Sequence, residues 1–231
     1  MLIISKNQWA SMKNSKLNEF FKILAVGVQD SYPNYVHHLD ETELIAVIAK
    51  VANKAQTFQF ESNRDLEYFV ELSIKMGTSF DQDPLLPWAE KILSGSNDPW
   101  RTMNILHKRT HFHVEYILGV NTVLPILPYQ RFKLRWLETV NNITSFRKLS
   151  KILADIWPLK YEISHAHLNE IWEHKHTLKF LSRNEIVVLI FLLGSDFESN
   201  PFFPWSTNPD FSSQAVWMHL DQALKSTSIR I

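Results

Sequence analysis

The sequence has no cysteine, little glycine and no net charge, and each shortage counts against a class of function. Without cysteine, neither a disulfide nor a thiolate-bound zinc ion is available. Five glycines among 231 residues leave little for the loops that cradle phosphate groups, and no such motif occurs. A formal net charge of zero argues against a general nucleic-acid binder, which normally carries a basic excess.

Long hydrophobic runs are absent as well. The longest, Ile186–Leu193, has eight residues, whereas a membrane-spanning helix needs about 20. The apolar stretch Met1–Ile4 is too short for a signal peptide and is followed by polar residues. We therefore expect a cytoplasmic protein that contacts no membrane.

Catalytic signatures are missing too. There is no nucleophile elbow of the Gly-x-Ser-x-Gly type, and the carboxylate pairs fit solvated helix faces. His107 and His111 are four residues apart, so on a helix they share a face and could bind a metal together with Glu115. A metal-dependent enzyme is thus an alternative hypothesis, but histidines on polar helix faces are usually exposed or hydrogen-bonded. We expect no enzymatic activity, no cofactor and no bound metal.

The hydrophobic pattern is helical almost throughout. Helix-capping signals, in which a polar residue is followed three positions later by an acidic one, begin at Asp40, Ser62 and Ser182. The β-branched run Ile186–Leu193 could be a buried strand. We predict a helix, because the corresponding segment Leu66–Met76 carries polar residues at helical intervals.

What the sequence does contain is one motif written twice with identical spacing. We call each copy a corner; the shared positions are Gly77, Phe80, Asp83, Pro84, Pro87 and Trp88 in the first copy and Gly194, Phe197, Asn200, Pro201, Pro204 and Trp205 in the second. Further matches lie 125 positions apart, such as Phe21 with Phe146. The repeat predicts an all-α protein of about ten helices, built from two tandem, duplicated units that pack as one pseudo-symmetric protein. The first unit would span residues 1–120 and the second, shortened unit residues 121–231.

Each shared position of a corner has a structural reason. Glycine ends a helix in the left-handed conformation, and the phenylalanine folds back onto that helix. Asp or Asn before proline favours a turn, and Pro-Trp starts the next helix. We therefore expect Trp88 and Trp205 in equivalent buried positions. Asp81 and Asp83 have the spacing of a calcium loop, but the remaining ligands are missing, so we assign no metal there.

Aromatic residues are abundant, with eight Trp, fifteen Phe and six Tyr. In a chain without a visible active site, this abundance favours a protein-binding surface, because tryptophan and tyrosine anchor interfaces. The candidate surface residues are Trp100, Phe202, Phe203 and Trp217. Basic residues also alternate with aromatics over 131–151, but on amphipathic helices this pattern is typical of a core and a solvated face. We therefore expect no nucleic-acid partner.

The first half of the chain resembles a group of bacterial proteins encoded beside type VI secretion spike (PAAR/VgrG) proteins and their toxins. The resemblance rests on the opening Met1–Ser5 with its following helix, on Ser62–Phe69 and on Gly77–Trp88, and it covers about residues 1–118. It implies no catalytic residues. It implies a setting of toxin delivery between bacteria, in which immunity proteins, chaperones and adaptors all act by binding.

The leading hypothesis is an immunity protein that binds and occludes a cognate toxin or effector, for example one of the Rhs type. The alternative is a chaperone or adaptor that loads an effector onto the secretion spike.

Overall fold

The computed structural model describes residues 6–95, 97–115, 126–156, 173, 178–206, 208 and 210–228, and all regular structure in these ranges is helical. The predicted all-α class is confirmed. The chain forms two compact units, Met1–Val70 and Glu71–Ile231. Their boundary lies inside a helix, whereas the predicted repeat boundary at 120/121 lies outside the described residues. The tandem duplication therefore remains a prediction.

The first unit contains the helices α1 (Lys6–Ser31), α2 (Pro33–Val36), α3 (Glu41–Thr57) and the start of α4 (Asn63–Met76). Helix α3 begins with the predicted capping box. The Asp40 carboxylate accepts a hydrogen bond from the Glu43 N–H at 2.8 Å, and the Glu43 carboxylate accepts one from the Asp40 N–H at 2.9 Å. The Ser62 hydroxyl caps α4 in the same way by accepting from the Asp65 N–H at 3.1 Å.

The core of the first unit lies between α1 and α3, which pack against each other. Its fully buried side chains on α3 include Leu44 and Ile48. An aromatic cluster extends this core, with the ring centroids of Phe58 and Phe69 5.9 Å apart and those of Phe60 and Phe69 6.1 Å apart. Burial of these apolar side chains stabilises the unit through the hydrophobic effect.

The second unit contains the rest of α4 and the helices α5 (Pro87–Ser94), α6 (Pro99–His113), α7 (Ile126–Arg135), α8 (Phe146–Ile156), α9 (Arg183–Leu193) and α10 (Ser213–Ser228). Short 3₁₀ turns lie at Val140–Asn142 and Pro204–Ser206. The hydrophobic pattern of residues 129–142 predicts one helix, but α7 ends at Arg135 and is followed by a turn and the 3₁₀ segment Val140–Asn142. The prolines at positions 125 and 128 predict a linker over residues 121–128, but the chain is helical from residue 126. The sequence also predicts a helix over residues 164–178, nearly all of which lie outside the described residues.

Helix α9 is the central element of the second unit. It is the segment for which a strand was the alternative, and the helix prediction is confirmed. All residues from Asn184 to Leu193 are buried, and a helix that is apolar all round belongs inside a core. Its N-terminus carries the predicted capping box of Ser182 and Glu185. Helix α8 packs against both α7 and α9. None of the described helices is long and apolar enough to cross a membrane.

Candidate binding surface

The two corners end their helices at a glycine with the same positive φ. Gly77 and Gly194 both have a φ of 98°, in the region that favours glycine. The next turn is also the same. The Phe80 N–H donates to the Gly77 carbonyl at 3.2 Å, and the Phe197 N–H donates to the Gly194 carbonyl at 3.3 Å. Both phenylalanine side chains are fully buried.

The polar residue before the first proline of each corner makes the same turn. The Asp83 Oδ1 atom accepts a hydrogen bond from the Leu85 N–H at 2.8 Å, and the Asn200 Oδ1 atom accepts one from the Phe202 N–H at 3.1 Å. These are the side-chain turns that Asp and Asn form with the backbone two residues on. The glycine and the Asp or Asn of each corner therefore form the turn that the sequence predicts.

The two corners also contact each other, which the sequence analysis did not predict. The Asp196 Oδ2 atom accepts hydrogen bonds from the Thr78 hydroxyl and the Ser79 N–H, each at 2.9 Å. The Asp83 Oδ2 atom accepts one from the Ser195 N–H at 2.9 Å. Ser79 and Asp196 are the third residues of their respective corners, so two equivalent positions meet at this junction.

The junction is electrostatically unusual and closely packed at both glycines. Burial raises the pKa of Asp83 to about 6 against the effect of its backbone hydrogen bonds, and the Asp196 carboxylate adds to the rise. Burial also raises the pKa of Asp196. A Cβ atom added at Gly77 would lie 2.5 Å from the Asp196 carboxylate, and one at Gly194 would lie 3.1 Å from that of Asp83. We therefore interpret the junction as structural.

The two corner tryptophans are not equivalent, and that prediction is wrong. Trp205 is 1% exposed and stacks on Phe203 with ring centroids 4.7 Å apart. Trp88 is only half-buried. The continuation of the chain differs, because Pro87 opens the eight-residue helix α5 whereas Pro204 opens only a three-residue 3₁₀ turn.

Three of the four predicted surface residues belong to the core. Phe202, Phe203 and Trp217 are all buried. The Trp217 ring stacks on Phe132 at 5.3 Å, and its Nε1–H donates to the Glu185 carboxylate at 3.0 Å. Their assignment to a partner-binding surface is corrected accordingly, since buried side chains cannot contact a partner without local unfolding.

Trp100 is the fourth predicted surface residue, and it is 77% exposed. It stands in the first turn of α6, where Pro99 occupies the first helical position and the Asp98 carboxylate caps the helix by accepting from the Arg101 N–H at 3.1 Å. The opposite side of α6 is buried through Thr102, Leu106, Thr110 and His113. The start of the helix is thus fixed while the indole ring faces solvent.

Most of the exposed residues of α6 form two adjacent stripes, which together we call the α6 face. One stripe is Trp100, Asn104, His107 and His111, and the other is Arg101, Ile105, Lys108 and Phe112. In each stripe the residues follow the spacing i, i+4, i+7, i+11, which keeps them on one line along a helix. Ile105 is 43% exposed and Phe112 is 40% exposed, so apolar surface continues along the helix beyond Trp100.

Arg109 orders the aromatic side chains at one edge of the α6 face. Its guanidinium carbon lies 5.7 Å from the centroid of the Trp88 ring and 5.5 Å from that of Phe112, which are cation–π distances. The buried His113 ring lies 5.9 Å from Trp88. Burial lowers the pKa of His113 to about 3, and the Arg109 charge adds to this effect. His113 is therefore neutral, and the positive charge of α6 lies on its exposed side.

The residues of the metal-site hypothesis are only partly brought together. The His111 Nε2 atom lies 3.5 Å from the Glu115 carboxylate, and both side chains are exposed. Within the described residues, no group of three or more metal-binding side chains occurs. The basic residues of α7 are partly neutralised within the chain, since the Lys133 ammonium lies 2.7 Å from Asp221.

Of this face, only Trp100 was predicted from the sequence as a surface residue, and His107 and His111 were singled out only for a metal site. Its other residues were missed: Arg101, Asn104, Ile105, Lys108 and Phe112. Two signals could have found them. The second stripe has the same spacing as the first, and no acidic residue occurs between Asp98 and Glu115.

Comparison with known proteins identifies no relative. No protein-family model, no curated protein sequence and no solved structure matches the chain.

Proposed function

We propose that this chain is a non-enzymatic binding protein of a type VI secretion or related polymorphic-toxin locus, and that it acts as an immunity protein. It would work in the cytoplasm by binding a cognate toxin and covering its active site. One observation carries the binding role: the α6 face presents an exposed tryptophan on a helix whose opposite side is anchored in the core.

Large apolar side chains are unfavourable in contact with water. Seven large hydrophobic side chains are exposed among the described residues, and three of them, Trp100, Ile105 and Phe112, lie on α6. Exposed apolar groups that cluster on one element mark interaction sites more often than scattered ones do. Tryptophan and arginine dominate the binding energy of protein interfaces. Because α6 is already folded and packed, binding through this face would order few additional groups.

The type VI setting of the proposal has a separate basis. It rests on the resemblance of residues 1–118 to proteins encoded beside secretion spikes and their toxins. In that setting, a binding protein without catalytic residues fits the immunity role.

We also propose that the chain arose by duplication and contains two pseudo-symmetric repeats, residues 1–120 and 121–231. The matching hydrogen bonds of the two corners support it, as does the contact between the equivalent residues Ser79 and Asp196. Duplication would also explain why Asn200 makes the same turn as Asp83.

Co-expression with the toxin tests the proposal. The affinity-tagged chain is first purified from its native host, and the protein that copurifies stoichiometrically is identified by mass spectrometry. The catalytic domain of that protein is then expressed alone in a heterologous bacterium with and without this chain. We expect growth to be rescued by the wild type and by the Leu134→Ala variant, whose exposed residue lies on α7, but not by Trp100→Ala.

Failure of the wild type to rescue growth would contradict the immunity role. If deletion of the gene instead abolished secretion of the partner, the chain would be a chaperone or adaptor. If no protein copurified, the binding role itself would be contradicted.

A further inference from the structure

The charge pattern of α6 indicates the kind of surface that this helix recognises. We infer that the α6 face docks into an acidic, apolar-centred groove of the protein partner. This inference rests on the proposed binding function and specifies the partner's chemistry.

The charged side chains of α6 are all basic. Between Asp98 and Glu115 the chain carries Arg101, Lys108 and Arg109 and no acidic residue. The two carboxylates that bound this segment lie at its ends, because Asp98 caps α6 and Glu115 follows it, 3.5 Å from His111. Between these ends, the α6 face carries cations and no carboxylate.

The second step is the order of the residues along the helix. In the stripe of Arg101, Ile105, Lys108 and Phe112, cationic and apolar side chains alternate over about three turns. Trp100 lies beside the first cation of this stripe. Helices that bind in grooves place apolar residues at such spacings, and complementary charges at the rim set orientation and association rate. The matching surface is an apolar groove with carboxylates along its edge.

The third step concerns the other occupants that a cationic helix could have. A second copy of this chain fits poorly, because a two-fold contact through the α6 face would place like charges opposite one another. Nucleic acid fits poorly because the chain has a formal net charge of zero and α6 alternates its cations with aliphatic and aromatic side chains. An acidic protein surface satisfies both the charge and the apolar area.

Charge reversal with a matched control tests the inference. The α6 double variant Arg101→Glu/Lys108→Glu is compared with the α8 double variant Arg147→Glu/Lys151→Glu. Each variant replaces one exposed arginine and one exposed lysine, so the change in net charge is the same in both. The dissociation constant for the copurifying partner is measured by biolayer interferometry at about 50 mM and about 200 mM salt. Unchanged circular dichroism and unfolding midpoints show that both variants fold. A 20-nucleotide single strand and a 20-base-pair duplex of DNA are measured as competing probes.

We expect the α6 variant to bind the partner at least tenfold more weakly and with less salt dependence, and the α8 variant to stay within about threefold of wild type. Wild-type binding by the α6 variant would overturn the acidic-groove inference but leave the proposed function standing. Tight binding of either DNA probe, without a stoichiometric protein partner, would overturn both. Concentration-dependent dimerisation that is lost in the α6 variant, again without a partner, would identify a second copy as the occupant and also overturn the inference.

Discussion

Replacement of Gly194 by alanine probes the junction of the two corners directly. Gly194 has a φ of 98° and a ψ of 162°, a conformation that essentially only glycine adopts, so alanine would be strained by about 1–3 kcal/mol. The new Cβ atom would lie 3.1 Å from the Asp83 Oδ2 atom and 3.3 Å from the Met76 carbonyl oxygen. The Asp83 carboxylate is held in place, since the same Oδ2 atom accepts the Ser195 N–H.

The expected loss of stability combines three effects. Lengthening the bond between Asp83 and the Ser195 N–H would remove a hydrogen bond to a charged group, worth about 1.5–3 kcal/mol. The lower chain entropy of alanine in the unfolded state would return about 0.4–1 kcal/mol. Together with the backbone strain, the free energy of unfolding should fall by about 2–5 kcal/mol.

Gly27→Ala provides the control, because it makes the same chemical change in an ordinary helix. Gly27 lies inside α1, and an added Cβ atom would meet nothing within 4 Å. Alanine there should stabilise the protein by about 0.5–1 kcal/mol. Urea unfolding is followed by circular dichroism for the whole chain and by tryptophan fluorescence. The fluorescence reports mainly on residues 71–231, because seven of the eight tryptophans lie there. A Gly194→Ala variant as stable as wild type would refute the strain and contact argument.

Three further substitutions test the buried polar groups. Burial raises the folded-state pKa of Asp83 from 3.8 to about 6, so the contribution of this carboxyl to stability falls as pH rises through that interval. In urea titrations, the free energy of unfolding of Asp83→Asn should therefore increase by about 3 kcal/mol relative to that of wild type between pH 4 and pH 7. Burial lowers the folded-state pKa of His113 from 6.5 to about 3, so the contribution of the neutral ring to stability is lost as pH falls below 6.5. The free energy of unfolding of His113→Gln should therefore increase by about 3 kcal/mol relative to that of wild type between pH 6.5 and pH 4. A difference that does not change with pH would contradict the buried neutral ring. Trp217→Phe keeps a ring for stacking but removes the N–H that donates to Glu185, so the free energy of unfolding should fall by about 1–2 kcal/mol. Met218→Ala changes the exposed neighbouring residue and should alter the free energy of unfolding by less than about 0.5 kcal/mol.

The helix starts were predictable because capping is local. The boxes at Asp40 and Ser182 each depend on a side chain only three residues away, and both form as predicted. The helix at Ile186–Leu193 could be predicted despite its β-branched residues, because the repeat supplied a second, more polar copy of the same segment. Local signals of this kind need no knowledge of the tertiary fold.

The burial of individual aromatics was not predictable, because it depends on contacts distant in sequence. Trp88 and Trp205 occupy the same position of the repeated motif, yet only Trp205 is fully buried. Composition placed Phe202 and Trp100 in one candidate surface, but the structure buries the first and exposes the second. The meeting of the two corners likewise joins residues more than 110 positions apart, for which no sequence signal was available.

Site-specific photocrosslinking from the α6 face would address the binding function most directly. The photoreactive residue p-benzoylphenylalanine is introduced in place of Trp100 in the native host, and in place of Leu134, which is 84% exposed on α7, as a matched position outside the face. We expect irradiation to join the chain to one protein through position 100, within an acid-rich segment of that protein, and to give no comparable product through position 134. A product of equal yield from both positions, or no protein product from position 100, would contradict the assignment of the α6 face as the binding surface.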